Sequence, residues 1–276
     1  MKNTFLNTIV GLALAEDLGS GDITTNSLIP KLARAKACII LKSAGVVCGL
    51  STAEVVFKTL NKNIKFQCKV FEGVRVKKGT VVAVVEGSAR AILSGERVAL
   101  NLLAHLSAVA TSTRAFVDAI KPYKTKIMDT RKTTPLLRHL ERYAVRTGGG
   151  VNHRFDLSQM VMIKDNHRHM ASLSDAVKTI KSKTNKTIEV EVDTLDQFKE
   201  ALNSKADIIL LDNMTPAQVR QAVALRQQLN PRILLEASGN INIDNVRAYA
   251  AAGVERISIG SLTTAPSRID ISLDLS

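Results

Sequence analysis

The chain has 276 residues, of which 45% are hydrophobic and 23% charged. This ordinary globular balance excludes intrinsic disorder and allows a barrel with a smaller companion domain. Its formal charge of +13 suits an anionic partner, but the cations are spread along the whole length, tryptophan is absent and aromatics are only 4%, so a stacking platform for nucleic acid is poorly supplied. No apolar run approaches the ~20 residues of a membrane-spanning helix.

Met1–Glu16 reads as a folded first helix without the cleavage pattern of a secretory signal. Turn-rich Leu18–Thr25 follows, then strand-like runs at Ala35–Leu41 and Val81–Val85, with a helical stretch at Thr52–Leu60. Gly73, Gly79 and Gly87 punctuate the later part, as short antiparallel strands require. Cys38, Cys48 and Cys68 have no C-x-x-C spacing and are expected as reduced core thiols.

From about Thr111 the pattern becomes regular. Strand-like runs at Lys126–Thr130, Met160–Asp165, Ile188–Val192, Asp207–Asp212, Ile233–Ala237 and Glu255–Gly260 alternate with helical ones. The helical runs are Leu136–Arg146, Leu173–Lys181, Leu195–Asn203, Pro216–Leu229 and Ile243–Ala252. Strand then helix, repeated, marks parallel β/α units, and the lack of a G-x-G-x-x-G turn favours a barrel over a doubly wound sheet.

Barrel chemistry collects at the C-terminal strand ends. Here those ends read Asp129-Thr130-Arg131-Lys132, Lys164-Asp165-Asn166, Glu191-Val192-Asp193, Asp212-Asn213, Glu236-Ala237-Ser238-Gly239-Asn240 and Gly260-Ser261. Period-two alternation puts Glu189 and Glu191 on one face, pointing into the barrel, where cations or a metal-bound ligand are expected close by; Lys164, Arg131 and Lys132 are the candidate cations. Ser238-Gly239-Asn240 and Gly260-Ser261 sit where barrels bind phosphate through backbone N–H groups. Thr147-Gly148-Gly149-Gly150 predicts a mobile or closely packed loop that delivers His153 and Arg154, the latter suited to gripping a carboxylate. Arg138, Arg142 and Arg146 form a helical stripe expected to face solvent or another subunit. There is no H-E-x-x-H or G-x-S-x-G motif, and His167 and His169 are expected as ordinary surface residues rather than ligands.

Several runs, in order along essentially the whole chain, resemble the quinolinate phosphoribosyltransferase family. They are Glu16–Thr25, Glu96–Asn101, Asp129–Thr133, Arg146–Arg154, Ile163–His167, Glu189–Asp193, Leu210–Asn213 and Glu236–Asn240. The resemblance implies an α/β fold: an N-terminal α/β sandwich, residues 1–108 with 268–276 returning to it, and an open, irregular β/α barrel over 109–267. It implies a cytoplasmic homodimer or multiple of dimers. Its activity would be phosphoribosyl transfer from 5-phosphoribosyl 1-pyrophosphate to quinolinate with loss of CO2. Arg97 of a neighbouring subunit, with Arg131, Lys132, Arg154 and Lys164, would hold the two carboxylates; Thr130 and His153 also fall among the substrate-binding positions. Lys132, Lys164, Glu191 and Asp212 are the catalytic candidates. Glu191 and Asp212 would face the ribose and a Mg2+ ion held mainly by the pyrophosphate. Ser238, Gly239, Asn240, Ile259, Gly260 and Ser261 would cradle phosphate. Nicotinate phosphoribosyltransferases and the paralogue encoded near molybdate transport genes are the close rivals; a pyridine with two carboxylates calls for more arginines, and Arg97, Arg131 and Arg154 favour quinolinate. A nucleic-acid-binding protein is the rival from another class, disfavoured by the mixed signs of charge at the strand ends.

Overall fold

A computed structural model describes residues 3–168 and 172–276; of the sequence expectations, the one for His169 lies outside the described residues. The first elements are α1 (Asn3–Leu18), α2 (Ile23–Leu28), β1 (Arg34–Leu41), β2 (Gly45–Val46) and α3 (Leu50–Leu60), then β3 (Lys65–Cys68), β4 (Arg75–Val76), β5 (Val81–Ser88) and the long α4 (Ala89–Ala119). There follow β6 (Lys126–Met128), α5 (Arg138–Thr147), β7 (Val161–Ile163), α6 (Asp165–Arg168), α7 (Leu173–Lys183), β8 (Ile188–Val192), α8 (Leu195–Asn203) and β9 (Ile208–Asp212). The last are α9 (Pro216–Leu229), β10 (Leu234–Ser238), α10 (Val246–Ala251), β11 (Arg256–Ser258), α11 (Ser261–Thr264) and β12 (Ile271–Leu275).

The chain forms two compact units that do not follow chain order. One comprises the residues through Arg114, Thr133–Gly149 and Thr263–Ser276; the other comprises Ala115–Lys132 and Gly150–Leu262. The first unit holds an antiparallel sheet ordered β12-β1-β5-β3. Alternation along β1 buries Ala37, Ile39 and Leu41, while α1 contributes Leu6, Ile9, Val10 and Leu14 at helical spacing. Cys48 is buried and Cys38 half-buried, but Cys68 is exposed, against the expectation of a core thiol. It lies on β3, the edge strand, of which no residue is buried.

Helix α5 falls in the first unit rather than on the barrel sheet. It begins two residues later than its apolar pattern predicts, because Leu136 takes a positive φ of 66°. Polar contacts tie it down: Tyr143 Oη donates to Glu72 Oε2 at 2.9 Å and Arg114 Nε donates to the Gly148 carbonyl at 2.8 Å. The glycine loop is packed at Gly148, where a Cβ would come 2.5 Å from the Ala110 carbonyl oxygen. On the arginine stripe, Arg146 is exposed and Arg138 and Arg142 are half-buried.

The second unit is built on six parallel strands ordered β6-β11-β10-β9-β8-β7, an open β/α barrel. Val151 adds a single parallel bridge to Met128 on the free edge of β6. Thr194 and Thr215 cap α8 and α9 by accepting from backbone N–H groups, and Pro216 starts α9, where its missing N–H costs nothing. Among the described residues no helix is long and apolar enough to cross a membrane.

Candidate active site

The strand ends of the second unit gather the polar side chains. Lys164 follows β7 directly, and its Nζ donates to Glu191 Oε2 on β8. Glu191 is half-buried and Lys164 more open, so the pair sits at the rim of the barrel. At the end of β6, the Lys132 backbone N–H donates to Thr130 Oγ1 at 3.1 Å. Gly260, after β11, lies against both: a Cβ there would stand 3.2 Å from Lys132 Cδ and 3.9 Å from Thr130 Oγ1. Ile259 is fixed beside them by donating its N–H to the Met128 carbonyl at 3.0 Å.

The loops after β9 and β10 lock together. Ser238 is in register with Asp212, and Asn213 N–H donates to the Ser238 carbonyl at 2.9 Å. Asn240 Nδ2 donates to Asn213 Oδ1 at 3.0 Å, and Asn213 Nδ2 donates to Asp212 Oδ2 at 2.7 Å. Gly239 is required twice over. Its φ is +87°, and a Cβ would fall 2.2 Å from Asn213 Oδ1. Asn213, which carried no role in the sequence reading, is thus the post around which this loop turns. Its own φ of 54° is a conformation asparagine tolerates better than most residues.

A second, inner layer lies below the rim. Asp129 is fully buried and accepts from the His153 N–H and from Asn152 Nδ2, both at 2.6 Å. This clamp presents Arg154, also buried, whose guanidinium donates to the Met160 carbonyl at 3.1 Å and approaches Met162 Sδ at 3.5 Å. Burial and the nearby Arg131 charge hold the Arg154 pKa below its usual value, with Glu189 offsetting them. His153 Nε2 stands 3.1 Å from Glu189 Oε2 and 3.4 Å from Glu236 Oε1, and both carboxylates have zero solvent exposure. Lys164, Arg131 and Lys132 were the candidate partners of the inward carboxylates. Lys164 takes Glu191, but the group facing Glu189 is the histidine, with Arg256 adding a favourable charge. Burial, then Glu236, push the Glu189 carboxyl above the ordinary carboxylate range, partly opposed by His153. Burial works against charge on His153, yet the two glutamates that face it outweigh that and hold its pKa up at about 10. Arg256 and the role of Glu236 were missed in sequence. The signal for Glu236 was present, because alternation along β10 puts it on the same face as Ser238.

A cavity of about 490 Å³ opens beside His153 and Arg154, bounded by Asn152, Gln159, Lys126 and Arg256. The second unit therefore contains Thr130, Arg131, Lys132, His153, Arg154, Lys164, Glu191, Asp212, Ser238, Gly239, Asn240, Ile259, Gly260 and Ser261. Arg97 belongs to the first unit, exposed on α4.

Comparison with known proteins agrees along the whole chain. Residues 22–107 match the quinolinate phosphoribosyl transferase N-terminal domain, and residues 109–274 match the C-terminal domain of the same family. A probable nicotinate-nucleotide pyrophosphorylase (carboxylating) of Synechocystis is 43% identical over 265 residues, covering 95% of this chain and 90% of that protein. The nicotinate-nucleotide pyrophosphorylase (carboxylating) of Mycobacterium leprae is 40% identical over 268 residues, covering 95% and 94%. Among solved structures, the nicotinate-nucleotide pyrophosphorylase of Francisella tularensis superposes with a TM-score of 0.95 at 37% identity, covering 100% of this chain and 98% of that one. The chain belongs to the quinolinate phosphoribosyl transferase family.

Proposed function

We propose that this protein transfers the phosphoribosyl group of 5-phosphoribosyl 1-pyrophosphate to the ring nitrogen of quinolinate, releasing pyrophosphate and CO2 and forming nicotinate mononucleotide for NAD biosynthesis. The observation that carries the reading is the rim itself. Arg131, Lys132 and Lys164 stand at the ends of β6 and β7, Glu191 and Asp212 at β8 and β9, and two glycine loops follow β10 and β11. Cations for a dianionic pyridine, carboxylates for a developing sugar cation and open backbone for phosphate are the three things this transfer needs.

In this reading Arg131, Lys132, Arg154 and Lys164 hold the quinolinate carboxylates, with Thr130 beside them. A second copy of the chain contributes Arg97. The loops at Ser238–Asn240 and Ile259–Ser261 seat phosphate. As the bond from C1 of the ribose to pyrophosphate breaks, Glu191 stabilises the positive charge that builds on the sugar. The pyridine nitrogen then forms the new bond and becomes cationic. That cation withdraws the electron pair left when the adjacent carboxylate departs as CO2, and a proton takes the vacated carbon. No covalent intermediate with the protein is needed.

Glu191 and Asp212 are hard oxygen donors of the kind Mg2+ prefers, but two carboxylates do not fill its octahedron. The ion is therefore expected to be held mainly by the pyrophosphate, whose departing charge it would offset. A cytoplasmic homodimer, or a multiple of it, is the assembly that fits the shared arginine.

Release of labelled CO2 from carboxyl-labelled quinolinate tests the activity. Release is expected only when both substrates are present, with pyrophosphate formed in equal amount. Consumption of nicotinate faster than quinolinate would overturn the assignment in favour of the one-carboxylate enzymes.

A further inference from the structure

The cavity of about 490 Å³ lies at the other end of the strands from the rim. It is lined by Lys126 and Arg256, the first residues of β6 and β11, and by Met160 and Thr187, which immediately precede β7 and β8. Thr130, at the rim end of β6, is four residues beyond Lys126, roughly 13 Å of extended chain. In a β/α barrel the chemistry belongs to the rim, while the N-terminal end of the strands is ordinarily a packed floor that serves stability. Here the floor is open and cationic. Lys126 and Arg256 are partners in the parallel ladder between β6 and β11, so their side chains leave the sheet on the same face. Two like charges held side by side repel. Glu189 feels the Arg256 charge, but the short contacts of Glu189 and Glu236 are to His153. Among the described residues neither Lys126 nor Arg256 forms an ion pair, and no carboxylate lines the cavity.

We propose that this floor cavity is a binding site for a small organic phosphate, with Lys126 and Arg256 holding the phosphate group between them. A phosphate dianion matches two adjacent cations and relieves their repulsion. Further donors stand ready on other segments. Thr187 brings a hydroxyl, and Gln159, whose carbonyl oxygen accepts from the Phe155 N–H, keeps its amide N–H groups for a ligand. Met128 and Met160 supply apolar, adaptable surface for the organic part. The volume falls within the range of small-molecule sites, about 300–1,000 Å³. His153 and Arg154 close the cavity on its inner side, where Arg154 is already fixed by donating to the Met160 carbonyl. The site shares that wall with the candidate active site and none of its rim groups, so it stands apart from the transferase reading.

Equilibrium dialysis of the full-length protein against phenyl phosphate tests this, comparing the amount bound per chain in wild type, K126E, K126M and K31E. Lys31 is an exposed lysine of the first unit, so K31E makes the same charge change away from the cavity. Lys126 is itself exposed, so K126E should melt as wild type does, and K126M keeps the length of the side chain without its charge. Wild type and K31E are expected to hold one phenyl phosphate more per chain than K126E. Reversing one charge of a close pair should weaken the site by about thirtyfold or more, with K126M in between. Inorganic phosphate, with no ring to bury, should bind the wild-type site about tenfold more weakly. Equal binding in wild type and K126E, or a loss in K31E as large as in K126E, overturns the site. Inorganic phosphate held there as tightly as phenyl phosphate overturns the organic ligand. The readout is the difference between variants, so phenyl phosphate taken up at the rim cancels. If wild-type protein releases no CO2 from the two substrates, the transferase reading fails while this count still decides the floor site.

Discussion

Two buried glutamates, each facing a histidine, sit in the two units and are treated very differently by the fold. Glu141, in the first unit, is fully buried; its Oε1 lies 2.8 Å from His105 Nε2, and the Thr134 N–H reaches its two oxygens at 3.2 and 3.4 Å. It is a single carboxylate with a backbone donor, and it ties the start of α5 to α4. Glu189 is equally buried, but it shares its histidine with Glu236, and among the described residues no hydrogen-bond donor is aligned on either. A carboxylate satisfied by backbone belongs to the scaffold. One left short of donors beside a like charge stores electrostatic strain, and such strain gathers where a site must be held in one geometry.

The sharpest way to break this comparison is on the site side. Arg131→Ala removes an exposed cation from the rim without touching either buried glutamate. Truncating one partner of a ligand-binding charge pair costs about 2–5 kcal/mol, so kcat/KM for quinolinate should fall by roughly two to three orders of magnitude. The unfolding midpoint should stay within experimental scatter of wild type. Near-normal kinetics would remove Arg131 from the binding role.

The scaffold side should respond the opposite way. Glu141→Ala leaves the Thr134 N–H and His105 without their buried acceptor, which should cost about 1–3 kcal/mol of stability. Thermal melting should show that loss while KM for quinolinate remains at the wild-type value. A large kinetic defect in a stably folded Glu141→Ala protein would mean that the two glutamates are not as different as their surroundings suggest.

How much of this contrast could be read from sequence depended on range. The six strands and their polar ends were legible because a period of two, interrupted by helical stretches, is written locally; so was the inward direction of Glu189 and Glu191. The packing of α5 into the first unit was not, since its arginine stripe describes only the outer face. What pulls it there is Tyr143 meeting Glu72 and Glu141 meeting His105, pairs 71 and 36 residues apart. The same limit hid the partner of Glu189. Cations at the neighbouring strand ends are the natural candidates from sequence, whereas the fold supplies His153 from a loop and Glu236 from two strands away. Asn213 escaped notice because its work is to leave no room for a side chain at Gly239.

The smallest effect expected is also the one most specific to the inner cluster, a dependence of stability on pH. In the unfolded chain an ordinary histidine loses its extra proton near 6.5 and an ordinary glutamate near 4.3. In the folded chain the His153 imidazole, facing Glu189 and Glu236, stands at about 10, so it keeps its extra proton to far higher pH. Between about 4.5 and 6.5 both states carry one such proton and this group contributes no slope. Above 6.5 the folded state binds more protons than the unfolded one, so the stability it contributes is present below 6.5 and is lost as pH rises toward 10. One proton limits the slope to about 1.4 kcal/mol per pH unit. Melting curves of wild type and H153Q over this range isolate it, because H153Q lacks the imidazole that retains the proton and should lose the decline above 6.5. E141Q, altered in the satisfied pair, should keep it.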